Sequence, residues 1–244
     1  MIQYDQLVVA GCSYTWGDEI LGVGVHDPRG PSLAWAGKLA QMLNCPVRNL
    51  SSCGASNDLI YWSVMDHLLG NIDTLMQGKT LVIVQWTYWD RVHVFKPGDP
   101  NRHTDLYAGI ISKSDLKFKT PDSPIPWSRA LSSVYTNYLG SDPRTVLNVV
   151  TASNLIKTLV DTTPTCDFFY WNVEPLGFVK MPDTFDPQLD QFAQGSLLNP
   201  HRHWAGYMKK ICENSQSGWH YTEQAHALWA QQVYQYLETG RQIG

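Results

Sequence analysis

Ser13 is the side chain best placed in this sequence to do chemistry. It lies in Leu7-Val8-Val9-Ala10-Gly11-Cys12-Ser13-Tyr14-Thr15-Trp16-Gly17, where an apolar run with β-branched residues breaks at Gly11 and a hydroxyl follows two positions later. A buried strand that ends this way delivers a side chain to the edge of a sheet, where a hydroxyl can act as a nucleophile. The same residue types close turns and cap helices, so on this stretch alone Ser13 or Thr15 is equally a turn residue. Three further positions follow strand-like runs. Gly54 comes after Pro46-Val47-Arg48-Asn49-Leu50, Thr87 ends the apolar run from Thr80, and Glu174 follows Thr165 to Trp171.

These positions can meet only if the elements between them alternate. The run Thr80-Leu81-Val82-Ile83-Val84-Gln85-Trp86-Thr87 is continuously apolar for most of its length, as in a parallel strand covered on both faces. Helical spacing is predicted over residues 32–43, 57–69, 143–160 and 222–237, with Ser56 as a cap for the second of these. Strand, helix, strand, helix in alternation specify a three-layer α/β/α sandwich with a mainly parallel, flavodoxin-like sheet. Residues 1–244 are expected to form one domain, with irregular insertions at about 88–140 and 172–217, where prolines and aromatics replace periodicity. In such a sheet ligands bind beyond the carboxyl ends of the strands. Ser13, Gly54, the Thr87 region and Glu174 are all expected at that edge.

Composition narrows the partners. A formal net charge of -4 without a lysine or arginine cluster offers no electrostatic footprint for nucleic acid or anionic lipid. Charged residues make up 16%, and no apolar segment is long enough to cross a bilayer, which predicts a soluble globular protein with no membrane partner. Met1 to Gln6 lacks the basic start and apolar core of a signal peptide, so a cytoplasmic location is expected. Cys12, Cys45, Cys53, Cys166 and Cys212 are odd in number and scattered, which fits reduced thiols and no metal. His201-Arg202-His203 lacks a completing ligand, and His93, His103, His201 and His203 read as surface residues. No phosphate-cradling loop or dinucleotide fingerprint appears, and no cofactor is expected.

The ordered blocks resemble the SGNH (GDSL-like) hydrolase superfamily. In that family a serine follows the first strand in a GDS motif, a glycine follows the second, an asparagine the third, and a histidine precedes the last helix in a DxxH motif. Gly11-Cys12-Ser13 is similar to the first block with cysteine in place of aspartate, and Asn49 to Ser56 is similar to the second. Ser217-Gly218-Trp219-His220 looks like the last, with serine at the aspartate position. The resemblance implies that Ser13 is the nucleophile and His220 its general acid and base, since a serine hydroxyl needs a nearby base to take its proton. It implies an oxyanion hole built from the backbone N–H groups of Ser13 and Gly54. The third block lacks its asparagine, and Thr87, Gln85 and Asn57 are the candidate third donors. With Ser217 at the aspartate position, the ring is oriented by Ser217 itself or by an acid from elsewhere, for which Glu174 is the nominee. His226, on the last helix, is expected to pack or to support the site.

Ten tryptophans and twelve tyrosines are the unusual part of the composition. Trp86, Tyr88, Trp89, Trp127, Trp204 and Trp219 fall near the expected edge or in the insertions. They either stack on a ring-bearing ligand or pack the insertions onto the core. Trp86, Trp89 and Trp219 are taken as candidate substrate contacts, with Arg91 as a clamp for an anionic group. The expected activity is cleavage of a small ester, with an O-acetylated carbohydrate as the first substrate class to try. The rival expectation is a catalytically weakened fold of this kind that serves as a carbohydrate- or protein-binding module.

Overall fold

The computed structural model describes residues 3–22, 27–88, 142–173, 204, 208, 216–217, 220–241 and 243, with only the backbone of 142–146 and 216–217. Four strands form a parallel sheet: β1 (Gln6–Ala10), β2 (Val47–Asn49), β3 (Thr80–Trp86) and β4 (Cys166–Asn172), in the order β2-β1-β3-β4. Leu7 stands opposite Val47 on one side and Leu81 on the other, and Val82 pairs with Phe168. All seven residues of β3 are buried, which requires cover on both faces of the sheet. Between β1 and β3 the order of strands reverses, and this is the switch point at which a sheet of this kind opens a crevice.

The helices are α1 (Ser13–Trp16), α2 (Gly30–Leu33), α3 (Trp35–Leu43), α4 (Asn57–Gly70), α5 (Ile72–Leu75), α6 (Asp142–Asp161) and α7 (Glu223–Thr239). A two-stranded antiparallel hairpin, β5 (Gln216–Ser217) with β6 (His220–Tyr221), precedes α7. Helix α3 packs with α7, α4 with α6, and α6 on β4. The α3 face is made of Trp35, Ala36, Leu39, Ala40 and Leu43, all buried, at the spacing of one helical stripe. An ion pair between Lys38 and Glu223 adds a polar tie from α3 to α7. The Ser56 hydroxyl caps α4 by accepting from the Leu59 N–H at 3.3 Å, as expected.

The helix expected over 32–43 is two pieces. Ala34 is extended, with ψ 168°, and separates α2 from α3. A Cβ on Gly37 would lie 2.3 Å from the Ser32 carbonyl oxygen, so the backbone of α2 rests directly on α3 where only a glycine allows it.

Buried tryptophans tie the layers together. Trp86 and Trp204 are fully buried, as are Trp35, Trp171 and Trp229. Trp35 meets Trp171 with ring centroids 4.8 Å apart, Trp171 meets Trp229 at 5.1 Å, and Trp229 meets Trp204 at 6.2 Å, all steeply inclined. Such pairs stabilise a core by about 0.5–1.5 kcal/mol each beyond the area they bury. These rings pack the core because both faces of the sheet are covered, and Trp86 at the end of β3 also lines a cavity. Cys12, Cys45, Cys53 and Cys166 are free thiols. Among the described residues no helix is long and apolar enough to cross a membrane.

Candidate active site

The turn after β1 is built around two residues that carry no reactive group. A Cβ on Gly11 would sit 2.3 Å from Thr15 Oγ1 and 3.1 Å from Gln85 Cβ. Glycine there lets Thr15 fold back and donate its hydroxyl to Gln85 Oε1 at 2.6 Å. The buried Cys12 thiol lies 3.9 Å from the same oxygen, so the cysteine that replaces aspartate packs inward. Gln85 therefore anchors the underside of the turn. Its Nε2 is sealed from solvent and has no hydrogen-bond partner among the described residues.

Above this anchor the single turn of α1 carries Ser13, 6% exposed. Its carbonyl accepts from Gly17 N–H at 2.9 Å and Asp18 N–H at 3.0 Å. Gly17 has φ 84°, and a Cβ there would meet the Gly30 carbonyl oxygen at 2.5 Å. The start of α2 thus presses on the turn and leaves it one path. That path runs through Asp18 to Glu19, which has φ 55°, a left-handed conformation uncommon outside glycine and asparagine.

The β2 loop is tied to this turn. Ser52 N–H donates to the Gly11 carbonyl at 3.2 Å, and Asn49 Nδ2 to the Thr15 carbonyl at 3.4 Å. Gly54, at φ 76°, turns the loop back toward α4. At the end of β3, Thr87 N–H donates to Asn57 Oδ1 at 2.8 Å, while Asn57 Nδ2 reaches the carbonyls of Thr87 and Tyr88, each at 3.4 Å. The Thr87 N–H and the Asn57 amide hold each other, because the buried backbone at the end of β3 must have its polar groups satisfied.

His220 opens β6, with its Cα paired across the hairpin to Ser217. Its ring packs on Tyr14, centroids 5.2 Å apart, and Tyr14 in turn contacts Trp204 and Tyr221 at 4.9 and 5.9 Å. The Tyr14 hydroxyl meets that of Tyr88 at 3.0 Å, and burial pushes its phenol far above the usual range. Nδ1 of His220 is 2.8 Å from Glu19 Oε2, and Nε2 is 3.9 Å from Asp18 Oδ2. Among the described residues the ring's hydrogen bond runs to Glu19 and not to the Ser13 hydroxyl. Asp18 also faces Cys53, whose thiol is pushed up to about 12 by desolvation, with the Asp18 charge and hydrogen bond adding to it.

Ser13 and Gly54 thus follow the carboxyl ends of β1 and β2, and the His220 ring lies against Tyr14, the neighbour of Ser13. The ring nitrogen assigned to Ser217 or Glu174 is bonded to Glu19, which sequence reasoning missed. Its one signal was an acidic pair immediately after Gly17 in the same motif as the serine. Glu174, Trp89, Arg91, Trp127 and Trp219 lie outside the described residues, as do His93, His103, His201, His203 and Cys212, and Ser217 is described by its backbone alone. Among the described residues no cluster of His, Cys, Asp and Glu could hold a metal ion. A cavity of about 330 Å³ opens where α4 meets α6, lined by Asn57, Asp58, Tyr61, Trp62 and Trp86 among others. Trp62 is 58% exposed there.

No family model matches the sequence, and no curated protein sequence is similar to it. Solved structures do share its fold. An acetyl xylan esterase, Est2A, from the rumen bacterium Butyrivibrio proteoclasticus matches 98% of this chain at TM-score 0.50 and 13% identity, and 65% of that esterase is covered. A family two carbohydrate esterase from Clostridium thermocellum, in complex with cellohexaose, matches 98% of this chain and 66% of its own at TM-score 0.47 and 12% identity. A protein of the G-D-S-L family from Desulfitobacterium hafniense DCB-2 matches 95% of this chain and 98% of its own at TM-score 0.45 and 9% identity. This chain thus spans about two thirds of the length of the two carbohydrate esterases. At 13% identity and TM-score 0.50 the likeness to the acetyl xylan esterase is one of fold alone, a mainly parallel α/β sheet.

Proposed function

We propose that this chain is a serine ester hydrolase that works through an acyl-serine on Ser13. The observation that carries the reading is the packing of the His220 ring against the turn that presents Ser13, at the switch point of the sheet. In this reading the Ser13 oxygen attacks the ester carbonyl carbon and its proton passes to His220 Nε2. The tetrahedral oxyanion is met by the backbone N–H groups of Ser13 and Gly54, where a lost donor costs about 3 kcal/mol of barrier. Collapse breaks the carbon–oxygen bond to the alcohol, which leaves with the proton from Nε2. Water then repeats the sequence on the acyl-serine, with His220 as base and then acid, and regenerates the hydroxyl.

An O-acetylated carbohydrate is the substrate class this reading favours. The cavity beside Asn57 has a volume suited to a sugar unit, a polar rim from Asp58 and an exposed aromatic face from Trp62. Arg91, Trp89 and Trp219 are assigned to substrate contact in this proposal.

A second reading, a binding module with weakened catalysis, is favoured by one observation: the third block lacks its asparagine and Ser217 stands at the aspartate position of the last. Labelling with a fluorophosphonate separates the two. The hydrolase reading expects covalent modification at Ser13 and turnover of p-nitrophenyl acetate, both lost in Ser13→Ala. Wild-type protein that stays unlabelled and inactive, with the fold intact by circular dichroism, would leave the binding module standing.

A further inference from the structure

We propose that Glu19 is the carboxylate that orients His220, so that nucleophile and orienting acid come from one turn of the chain. This rests on the hydrolase reading above. The contact is 2.8 Å, and both side chains are 15% exposed, so the pair is shielded from the screening that makes surface ion pairs weak. Donation from Nδ1 to Glu19 fixes the tautomer that leaves Nε2 as the lone-pair nitrogen able to accept the Ser13 proton. When that proton arrives, the carboxylate stabilises the imidazolium that forms.

The backbone supports the same role. Glu19 holds φ 55°, and a non-glycine residue kept in that region is a form of strain that persists chiefly where function requires the geometry. Its placement is set by the serine itself, because Asp18 N–H bonds to the Ser13 carbonyl at 3.0 Å and Gly22 N–H closes the turn on the Glu19 carbonyl at 2.9 Å. Gly17 is wedged against Gly30 and cannot be displaced outward. Tyr14, one residue from the nucleophile, holds the ring from its face. Asp18 is excluded from the orienting role: its oxygen stops 3.9 Å from the other nitrogen, and it bonds Cys53. Glu19 is thus a positioning residue that acts through His220.

The test uses the full chain and four proteins: wild type, Ser13→Ala, Glu19→Gln and Glu19→Asp. Turnover of p-nitrophenyl acetate, the rate of fluorophosphonate labelling at Ser13 and the low-field proton NMR signal of the His220 Nδ1–H are measured on each. The proposal expects Glu19→Gln to lower kcat by about 10²–10⁴-fold with KM within about twofold, as for removal of an orienting acid elsewhere. Labelling should slow in proportion, and the low-field signal should vanish. Glu19→Asp, which keeps the charge on a shorter arm, should recover about tenfold of the loss. A folded Glu19→Gln protein with kcat and labelling rate within about twofold of wild type overturns the proposal alone. Wild-type protein that neither turns over nor labels overturns the hydrolase reading and, with it, this inference. If the glutamine variant does not fold, the wild-type spectrum decides: a low-field Nδ1–H signal coupled to His220 nitrogen supports the pair, and its absence overturns it.

Discussion

His220 and His226 stand six positions apart, one at the hairpin that meets the serine turn and the other inside α7, and they are used in opposite ways. His226 is fully buried, and its Nδ1 accepts from the Trp35 backbone N–H at 3.2 Å. With no counter-charge at hand, burial and then the nearby His220 push its pKa down to about 3, so the ring is neutral. Its Nε2 has no partner among the described residues. His220 instead faces carboxylates at both nitrogens, at 2.8 and 3.9 Å. A histidine becomes a proton carrier or a fixed acceptor according to the groups aimed at it. Here an N–H of a helix start holds His226 as an acceptor, and on the proposed reading a carboxylate from a strained turn prepares His220 for the other role.

The sharpest way to break this contrast is to remove each ring in turn. His220→Ala should lower the kcat of ester hydrolysis by about 10⁴-fold or more, with the urea midpoint nearly unchanged. A variant that keeps turnover would show that His220 carries no proton. His226→Ala should do the reverse: urea titration should show a loss of about 2–4 kcal/mol, from the cavity it leaves and the unpaired Trp35 N–H. Its kcat should stay within a few-fold.

The pH dependence of stability sharpens the comparison further. The folded His226 pKa of about 3 lies below the ordinary histidine value of 6.5, so below pH 6.5 the unfolded chain binds a proton that the folded chain refuses. The stability from this residue is fully present above about pH 6.5 and is lost as pH falls toward 3, by up to about 1.4 kcal/mol per unit. His226→Gln should flatten that part of the profile in urea titrations at successive pH values, and a variant as steep as wild type would assign the slope to other groups. The smallest effect concerns the cavity. Trp62→Ala should raise KM for an O-acetylated oligosaccharide by about 2–10-fold, the loss of one aromatic contact, and leave that for p-nitrophenyl acetate unchanged.

The architecture was legible because its signals are local. The apolar run from Thr80 to Trp86 and the helical stripe of Leu39, Ala40 and Leu43 need no distant partner to be read, and β3 and α3 lie where they point. The site was legible only in part. Ser13 and Gly54 announce themselves by position after strands, whereas Glu19 reaches His220 only because the chain turns through φ 55° after a glycine wedged against Gly30. No spacing rule reports a contact of that kind. The surroundings of Thr87, Gln85 and Asn57 were not legible for a related reason: the Thr87 N–H, Gln85 Oε1 and the Asn57 amide meet neighbours that only the tertiary structure supplies. Trp86 and Trp204 read as edge residues from flanking irregular sequence, but burial in the core overrides that cue.

The bond between Glu19 and His220 joins positions 201 residues apart, and this separation gives the site a place in time during synthesis. At about 5–20 residues per second on the ribosome, His220 follows Glu19 by roughly 10–40 s. Strands β1, β2 and β3 and the serine turn can pair well before that, since their contacts span shorter stretches. On the hydrolase proposal, a nascent chain halted before residue 220 would carry Ser13 in its turn without its proposed base. Competence to label at Ser13 is therefore a late event, and its onset on ribosome-bound chains of increasing length would mark the docking of α7 against α3.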